Sequence, residues 1–201
     1  QHLDAIDPTA AKIGAVNTIK IDDGKLTGYN TDAHGFITPL KARFGDLRDA
    51  RVAIFGAGGA SRACVYALQK EGADVTVFAR DPQKVKVFAD EFGIQHEHLT
   101  TDNRQLTTDV IVDATPLGMK GPLEDETLFT ADELSRVKFV YDLVTSATDT
   151  PIVRAAKSAG IPAIGGLEML IAQGVKQFEI WTGKKARLHK MREILLARMK
   201  G

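Results

Sequence analysis

The order of apolar and polar positions divides the chain into three stretches. In the first, two short β-like runs, AVNTIKI (15–21) and KLTGYN (25–30), flank Asp22-Asp23-Gly24. Asp-Gly between β-prone runs signals a hairpin, because both residues tolerate the positive φ that a tight turn demands. The segment that follows, TDAHGFITPLKARFGDL, predicts a helix opened by Thr31 or Asp32 as N-cap. Pro39 within it predicts a kink or an early end.

From about Arg51 to Gly165, apolar strands alternate with helical patterns. VAIFG is a continuous apolar run that stops at a glycine cluster, as a parallel strand buried on both faces does. There follow the helix SRACVYALQKEG, the strand DVTVFA, the helix PQKVKVFADEFG, the strands VIVDAT and FVYDLV, the helix TPIVRAAKSAG and the strand-like IPAIGG. This alternation predicts an α/β fold, a doubly wound parallel sheet of Rossmann type. Right-handed crossovers put the strand C-termini and their loops along one edge, where a ligand is expected. The third stretch predicts two helices broken at Thr182-Gly183. Met169, Leu170, Val175, Phe178 and Trp181 keep helical spacing in the first, and Leu188, Met191, Leu195 and Leu196 predict a packing face in the second.

Composition narrows the function classes. Apolar residues make up 44% of the 201 positions, a globular content, and no apolar run approaches the ~20 residues of a membrane span. Lys and Arg balance Asp and Glu at 26 each, so neither nucleic acid nor an anionic membrane is an expected partner. The balance is uneven along the chain: from Lys184 onward seven basic residues face Glu193 alone. One cysteine, Cys64, excludes an internal disulfide, and His34, His96, His98 and His189 show no metal spacing, so no metal site is expected. The absence of a basic-then-apolar leader predicts a cytoplasmic protein. The chain starts with Gln1 rather than Met.

The loop Gly56-Ala57-Gly58-Gly59-Ala60-Ser61 follows the VAIF strand and opens a helix. In a dinucleotide-binding unit the first glycine makes the tight turn, the second leaves room for a pyrophosphate, and a small third residue lets helix and strand pack. Free N–H groups and the helix dipole then face the diphosphate. The next strand ends at Arg80-Asp81, where a side chain reads the ribose. An acid there holds a 2′-hydroxyl, whereas a cation accommodates a 2′-phosphate. Arg80, with Lys84 one turn later, points to NADP; Asp81 argues the other way.

Gly14-Ala15-Val16-Asn17-Thr18, followed by Gly28-Tyr29-Asn30-Thr31-Asp32, resembles the paired GAVNT and G-x-NTD motifs of the shikimate dehydrogenase (shikimate/quinate dehydrogenase) family. GAGGASRA, Asp113-Ala114-Thr115-Pro116-Leu117-Gly118-Met119 and GLEMLIAQGVKQFEIWTG agree in order, so the resemblance spans essentially the whole chain. It implies NADP-linked interconversion of 3-dehydroshikimate and shikimate on the chorismate route to aromatic amino acids. By motif match Asn17, Asp32 and Gln173 would hydrogen-bond substrate hydroxyls, and Asp32 would belong to a catalytic Lys–Asp pair. Thr115, Leu143, Gly166 and Met169 would line the nicotinamide end. The plainer alternative for Asp32 is a simple N-cap, and on spacing alone Met169 reads as core packing ahead of a cofactor contact.

Two positions depart from the family pattern. The family's lysine and its Ser-x-Ser carboxylate motif precede GAVNT and would fall before Gln1; Lys12 lies too close to Asn17 to be that lysine. After Asp142-Leu143-Val144 a tyrosine is usual, and Thr145 stands there, at a position that would bind substrate. The resemblance therefore implies three parts: residues 1–30 as the end of an α/β substrate domain, 31–165 as a linker helix and the NADP domain, and 166–201 as helices returning to the substrate domain. It also implies a preceding segment or fusion partner, and a chain inactive alone. The alternatives are a quinate/shikimate dehydrogenase of relaxed specificity and a non-catalytic nucleotide-binding module.

Overall fold

The computed structural model describes residues 2–100 and 107–199. Gln1 and Gly201, which bound the first and last expected parts, lie outside them. The chain opens with β1 (Ala5–Ile6), α1 (Pro8–Ile13), β2 (Thr18–Asp22) and β3 (Lys25–Tyr29). β2 and β3 form the expected hairpin, in antiparallel register from Thr18↔Tyr29 to Asp22↔Lys25. Asp23 and Gly24 turn it with φ of 47° and 79°, the two positive values of a type I′ turn. β1, unforeseen in the sequence, adds parallel to β3 on its other side.

Helix α2 (Asp32–Phe44) runs on through Pro39 to Gly45. Its capping differs from expectation. Thr31 occupies the N-cap position but makes no side-chain cap bond. Instead Asn30 Oδ1 accepts from the amides of Asp32 at 3.0 Å and Ala33 at 3.3 Å, while its Nδ2 donates to the Ala15 carbonyl at 3.2 Å. One side chain thus satisfies the helix start and ties it to the chain leading into the hairpin.

The remaining elements are β4 (Arg51–Phe55), α3 (Gly59–Lys70), β5 (Asp74–Ala79), α4 (Pro82–Phe92), β6 (Gln95–His98), β7 (Val110–Asp113), α5 (Ala131–Leu134), β8 (Phe139–Asp142), α6 (Pro151–Ser158), β9 (Ala163–Ile164), α7 (Gly166–Thr182) and α8 (Leu188–Met199). The six strands form one sheet in the order β6-β5-β4-β7-β8-β9, every neighbour parallel. This is the doubly wound arrangement expected from the alternation. Side chains alternate between two cores: Val52, Ile54, Val110 and Tyr141 pack on the side of α2 and α3, and Ala53, Phe55, Ile111 and Val140 on that of α5 and α6. Both faces are apolar because both are covered.

The chain order of the strands reverses between β4 and β7, so their C-terminal loops open a crevice there. α7 packs along α2, and Trp181 Nε1 donates to the Ile19 carbonyl of β2 at 2.9 Å. The last helix falls short of its expected packing. Among the described residues of α8 none is buried, and Leu188 is exposed; Met191 reaches α7 at Gly174.

Candidate active site

The loop after β4 has the geometry its glycines imply. Gly56 sits at φ 111°, and a Cβ there would lie 2.8 Å from the Ala114 carbonyl oxygen after β7, so no side chain fits. Gly58 and Gly59 face open space instead, with no atom within 4 Å of where a Cβ would be. Buried Ser61 donates from Oγ to the Gly56 carbonyl at 2.7 Å, which closes the loop onto the first turn of α3. Ala60 lies in that turn. The result is a bare backbone cradle at the N-terminus of α3, suited to a diphosphate.

A cleft of about 520 Å³ runs from this cradle. Of the residues expected at the cofactor, Gly56, Ala57, Gly58, Arg80, Lys84 and Thr115 line it; Gly59, Ala60, Leu143, Gly166 and Met169 do not. Asp81, which argued against NADP, also lines the cleft, and its Oδ1 accepts from the amides of Gln83 and Lys84, both at 3.0 Å, capping α4. Exposed Arg80 and Lys84 form no ion pair among the described residues. Their charge is free to meet an anion in the cleft, and these groups fit a dinucleotide bearing a 2′-phosphate.

The polar residues expected at the substrate meet at a second place. Asn17 Nδ2 donates to Asp32 Oδ1 at 2.7 Å, with Thr31 Oγ1 at 3.1 Å and Gln173 Oε1 at 3.3 Å. Asn17 Oδ1 accepts from the Thr31 amide at 2.9 Å and from Thr18 Oγ1 at 2.9 Å. Burial raises the Asp32 carboxyl above its ordinary range, and the Asn17 amide opposes that rise. Gln173 gets there because α7 closes tightly on α2 at Gly35, where a Cβ would stand 2.7 Å from Gln173 Cβ and 2.9 Å from the Met169 carbonyl oxygen. Thr145 is exposed in the loop after β8, and among the described residues no hydrogen bond joins it to this cluster.

One further feature, a pair of buried carboxyl groups, carries no sequence expectation. Asp113 and Asp142 end β7 and β8 in register, both buried. Asp113 Oδ1 accepts from the Thr115 amide at 2.9 Å, but among the described residues Oδ2 has no partner; burial pushes this carboxyl up to about 7. Asp142 accepts from the Val144 amide and the Thr150 hydroxyl, and burial raises it to about 6. Gly166 touches the Leu143 and Val144 backbone so closely that any Cβ would overlap the Leu143 carbonyl. Met169 is 7% exposed and packs in the core on the α2 side.

Comparison with known proteins supplies the family. Two family models match: "Shikimate / quinate 5-dehydrogenase" over residues 39–120 and "Shikimate 5'-dehydrogenase C-terminal domain" over 166–196. A relative from Methanothermobacter thermautotrophicus named shikimate dehydrogenase (NADP(+)) is 37% identical over 203 aligned residues, covering 97% of this chain and 71% of the relative. Its namesake from Methanocaldococcus jannaschii is 36% identical, covering 98% and 72%. The chain belongs to the shikimate dehydrogenase family. Solved structures agree on the fold. A shikimate dehydrogenase crystallised with NADP+ superposes with a TM-score of 0.91 at 35% identity, covering 98% of this chain and 71% of its own. The Thermus thermophilus enzyme, in complex with NADP(H) and shikimate, gives 0.84 at 36%, covering 98% and 72%.

Proposed function

We propose that this chain carries the NADP-binding half, and part of the substrate half, of the reversible reduction of 3-dehydroshikimate to shikimate. The observation that carries the reading is the convergence of Asn17, Asp32 and Gln173 from a hairpin and two helices. That constellation answers the chemistry of a hydroxylated ring acid. Its hydroxyls need donors and acceptors held in place, and a site built to pair with them rejects analogues that lack them.

NADP(H) bound along the glycine loop supplies or accepts the hydride. The chain's own residues do the rest. Gly58 and Gly59 give the backbone access to the diphosphate, and Arg80 and Lys84 hold the 2′-phosphate. Asn17 and Gln173 orient the ring through its hydroxyls. Asp32, partly desolvated and bonded through Oδ1 only, accepts a proton more readily than an exposed carboxylate and fixes a neighbouring ammonium during proton transfer. Among the described residues no lysine pairs with Asp32. We assign that ammonium to a segment outside residues 1–201. The hairpin part (1–30) and the C-terminal helices (166–201) then form one substrate-binding unit around the cofactor domain (31–165). An NADP-linked biosynthetic enzyme with a single buried cysteine fits the cytoplasm.

Calorimetric titration of the 201-residue chain tests the reading. NADP is expected to bind more tightly than NAD, and an equal or lower Kd for NAD would overturn the cofactor assignment. Asn17→Ala and Gln173→Ala are each expected to weaken shikimate binding about 10-fold, the worth of one or two hydrogen bonds. Shikimate binding indifferent to both would remove the substrate assignment. Quinate in place of shikimate in the same titration reads out the consequence of Thr145.

A further inference from the structure

Arg62 lies in the first turns of α3, directly after the glycine loop, and its side chain bridges the Rossmann unit to α1. Its Nε donates to the carbonyl of Ile13, the last residue of α1, at 2.6 Å. Both Nη atoms engage the Glu91 carboxylate on α4, Nη1 at 2.8 Å. The guanidinium carbon lies 5.1 Å from the ring centroid of Phe92 and 6.0 Å from that of Phe88. Only a planar fork makes these contacts together; an ammonium on a flexible stem cannot.

The carbonyl it holds immediately precedes Gly14, which sits at φ 72° and has no room for a side chain: a Cβ would stand 2.5 Å from Arg62 Nη2. Three residues later comes Asn17, the centre of the substrate cluster. On the other side, the Arg62 amide donates to the Gly58 carbonyl at 3.4 Å, and Ser61 closes onto Gly56. Consecutive bonds thus run from the bare backbone of the cofactor loop, through one side chain, to the peptide that aims Asn17.

We infer that Arg62 is a positioning residue that couples dinucleotide binding to the geometry of the Asn17–Asp32–Gln173 cluster. The inference rests on the functional reading of the glycine loop as the NADP site. A diphosphate seated on Gly58 and Gly59 fixes the first turn of α3. Arg62, clamped by Glu91 and two rings, passes that order to Ile13–Asn17, so substrate meets a cluster whose ordering cost is already met. An ion pair serving stability alone would lower the melting temperature without affecting what NADP does at the hairpin.

The test is residue-resolved amide exchange with and without saturating NADP, beside calorimetry of NADP binding. The reporters are the Asn17 amide, bonded to the Tyr29 carbonyl at 3.0 Å, and the Thr31 amide, bonded to Asn17 Oδ1 at 2.9 Å. In the unmodified chain NADP is expected to slow their exchange about 5-fold or more; Arg62→Met should bind NADP within about 3-fold of normal yet lose that protection. Arg62→Lys is expected to lose it as well, and carries the test if Arg62→Met does not fold. Glu91→Gln, which keeps an acceptor for the fork, should retain it. Full protection in Arg62→Met or Arg62→Lys overturns the inference, as does NADP binding to the unmodified chain without protection at these amides. No NADP heat in the unmodified chain overturns the functional reading itself, and the inference with it.

Discussion

Replacing Asp113 by Asn should make the protein's stability less sensitive to pH, and the structure gives the size of the effect. Asp113 is 1% exposed at the end of β7, in register with Asp142 on β8. Its Oδ1 is satisfied by the Thr115 amide, but Oδ2 meets no donor among the described residues. Burial, with a smaller contribution from the Asp142 charge, pushes its pKa up to about 7 against the hydrogen bonds from Thr115. A carboxyl whose folded pKa lies above its unfolded value, about 3.9, makes the native state the better proton binder between the two. Its contribution to stability is therefore complete near pH 4 and lost as pH rises to about 7. Between pH 5 and pH 8 that loss amounts to about 2–3 kcal/mol. Asp142, raised to about 6, has the same sign and stays in the variant. Asn keeps the acceptor for Thr115 and puts a neutral donor where the orphan oxygen stood. Urea denaturation at both pH values measures the difference directly. The unmodified chain should lose about 2–3 kcal/mol more than Asp113→Asn on going from pH 5 to pH 8. An equal loss in both proteins would refute the reasoning, because Asp113 would then be ionised, or solvated, in the native state throughout.

Three other outcomes follow from the same geometry. Arg80→Leu should raise the Kd for NADP about 10- to 100-fold, the worth of charge-assisted hydrogen bonds, and leave NAD almost unchanged in parallel calorimetry. A uniform loss for both dinucleotides would mean that Arg80 does not read the 2′-phosphate. Gly166→Ala should destabilise by about 1–3 kcal/mol or more in denaturant titration, since its Cβ would overlap rigid backbone at Leu143 rather than a side chain that can move aside. Asn30→Ala should cost about 1–2 kcal/mol through the loss of its cap on α2, seen as a lower denaturation midpoint; a neutral result would return the capping role to Thr31.

The central strands β4, β5, β7 and β8 could be read from the sequence because burial on both faces leaves runs of consecutive apolar residues in place of alternation. β6 escaped that reading: its four residues, Gln95–His98, are all exposed at the sheet edge and carry no apolar signal. β1 and α5, of two and four residues, are too short for periodicity to register. At the helix starts the residue type was informative but the position was not. The cap on α2 falls to Asn30, one residue before the pair read from the sequence, because a cap is chosen by the local turn and not by composition.

The candidate site divides in the same way. The glycine loop was legible from its spacing, and Asn17 and Asp32 from the family motifs they resemble, because each motif lies within a short segment. Their chemistry depends on distant contacts. Gln173 joins Asn17 only because α7 presses against α2 where Gly35 has no side chain. The isolated sequence likewise contains no sign that Arg62 reaches Ile13 and Glu91, or that Asp113 and Asp142 lie side by side. Those facts arise from strand order and helix crossing. The sequence by itself determined the buried central strands, where the glycine loop lies and which polar residue types are available. Tertiary packing decided which of them meet, because hydrogen bonds and desolvation act over a few ångströms and only the folded chain sets those distances.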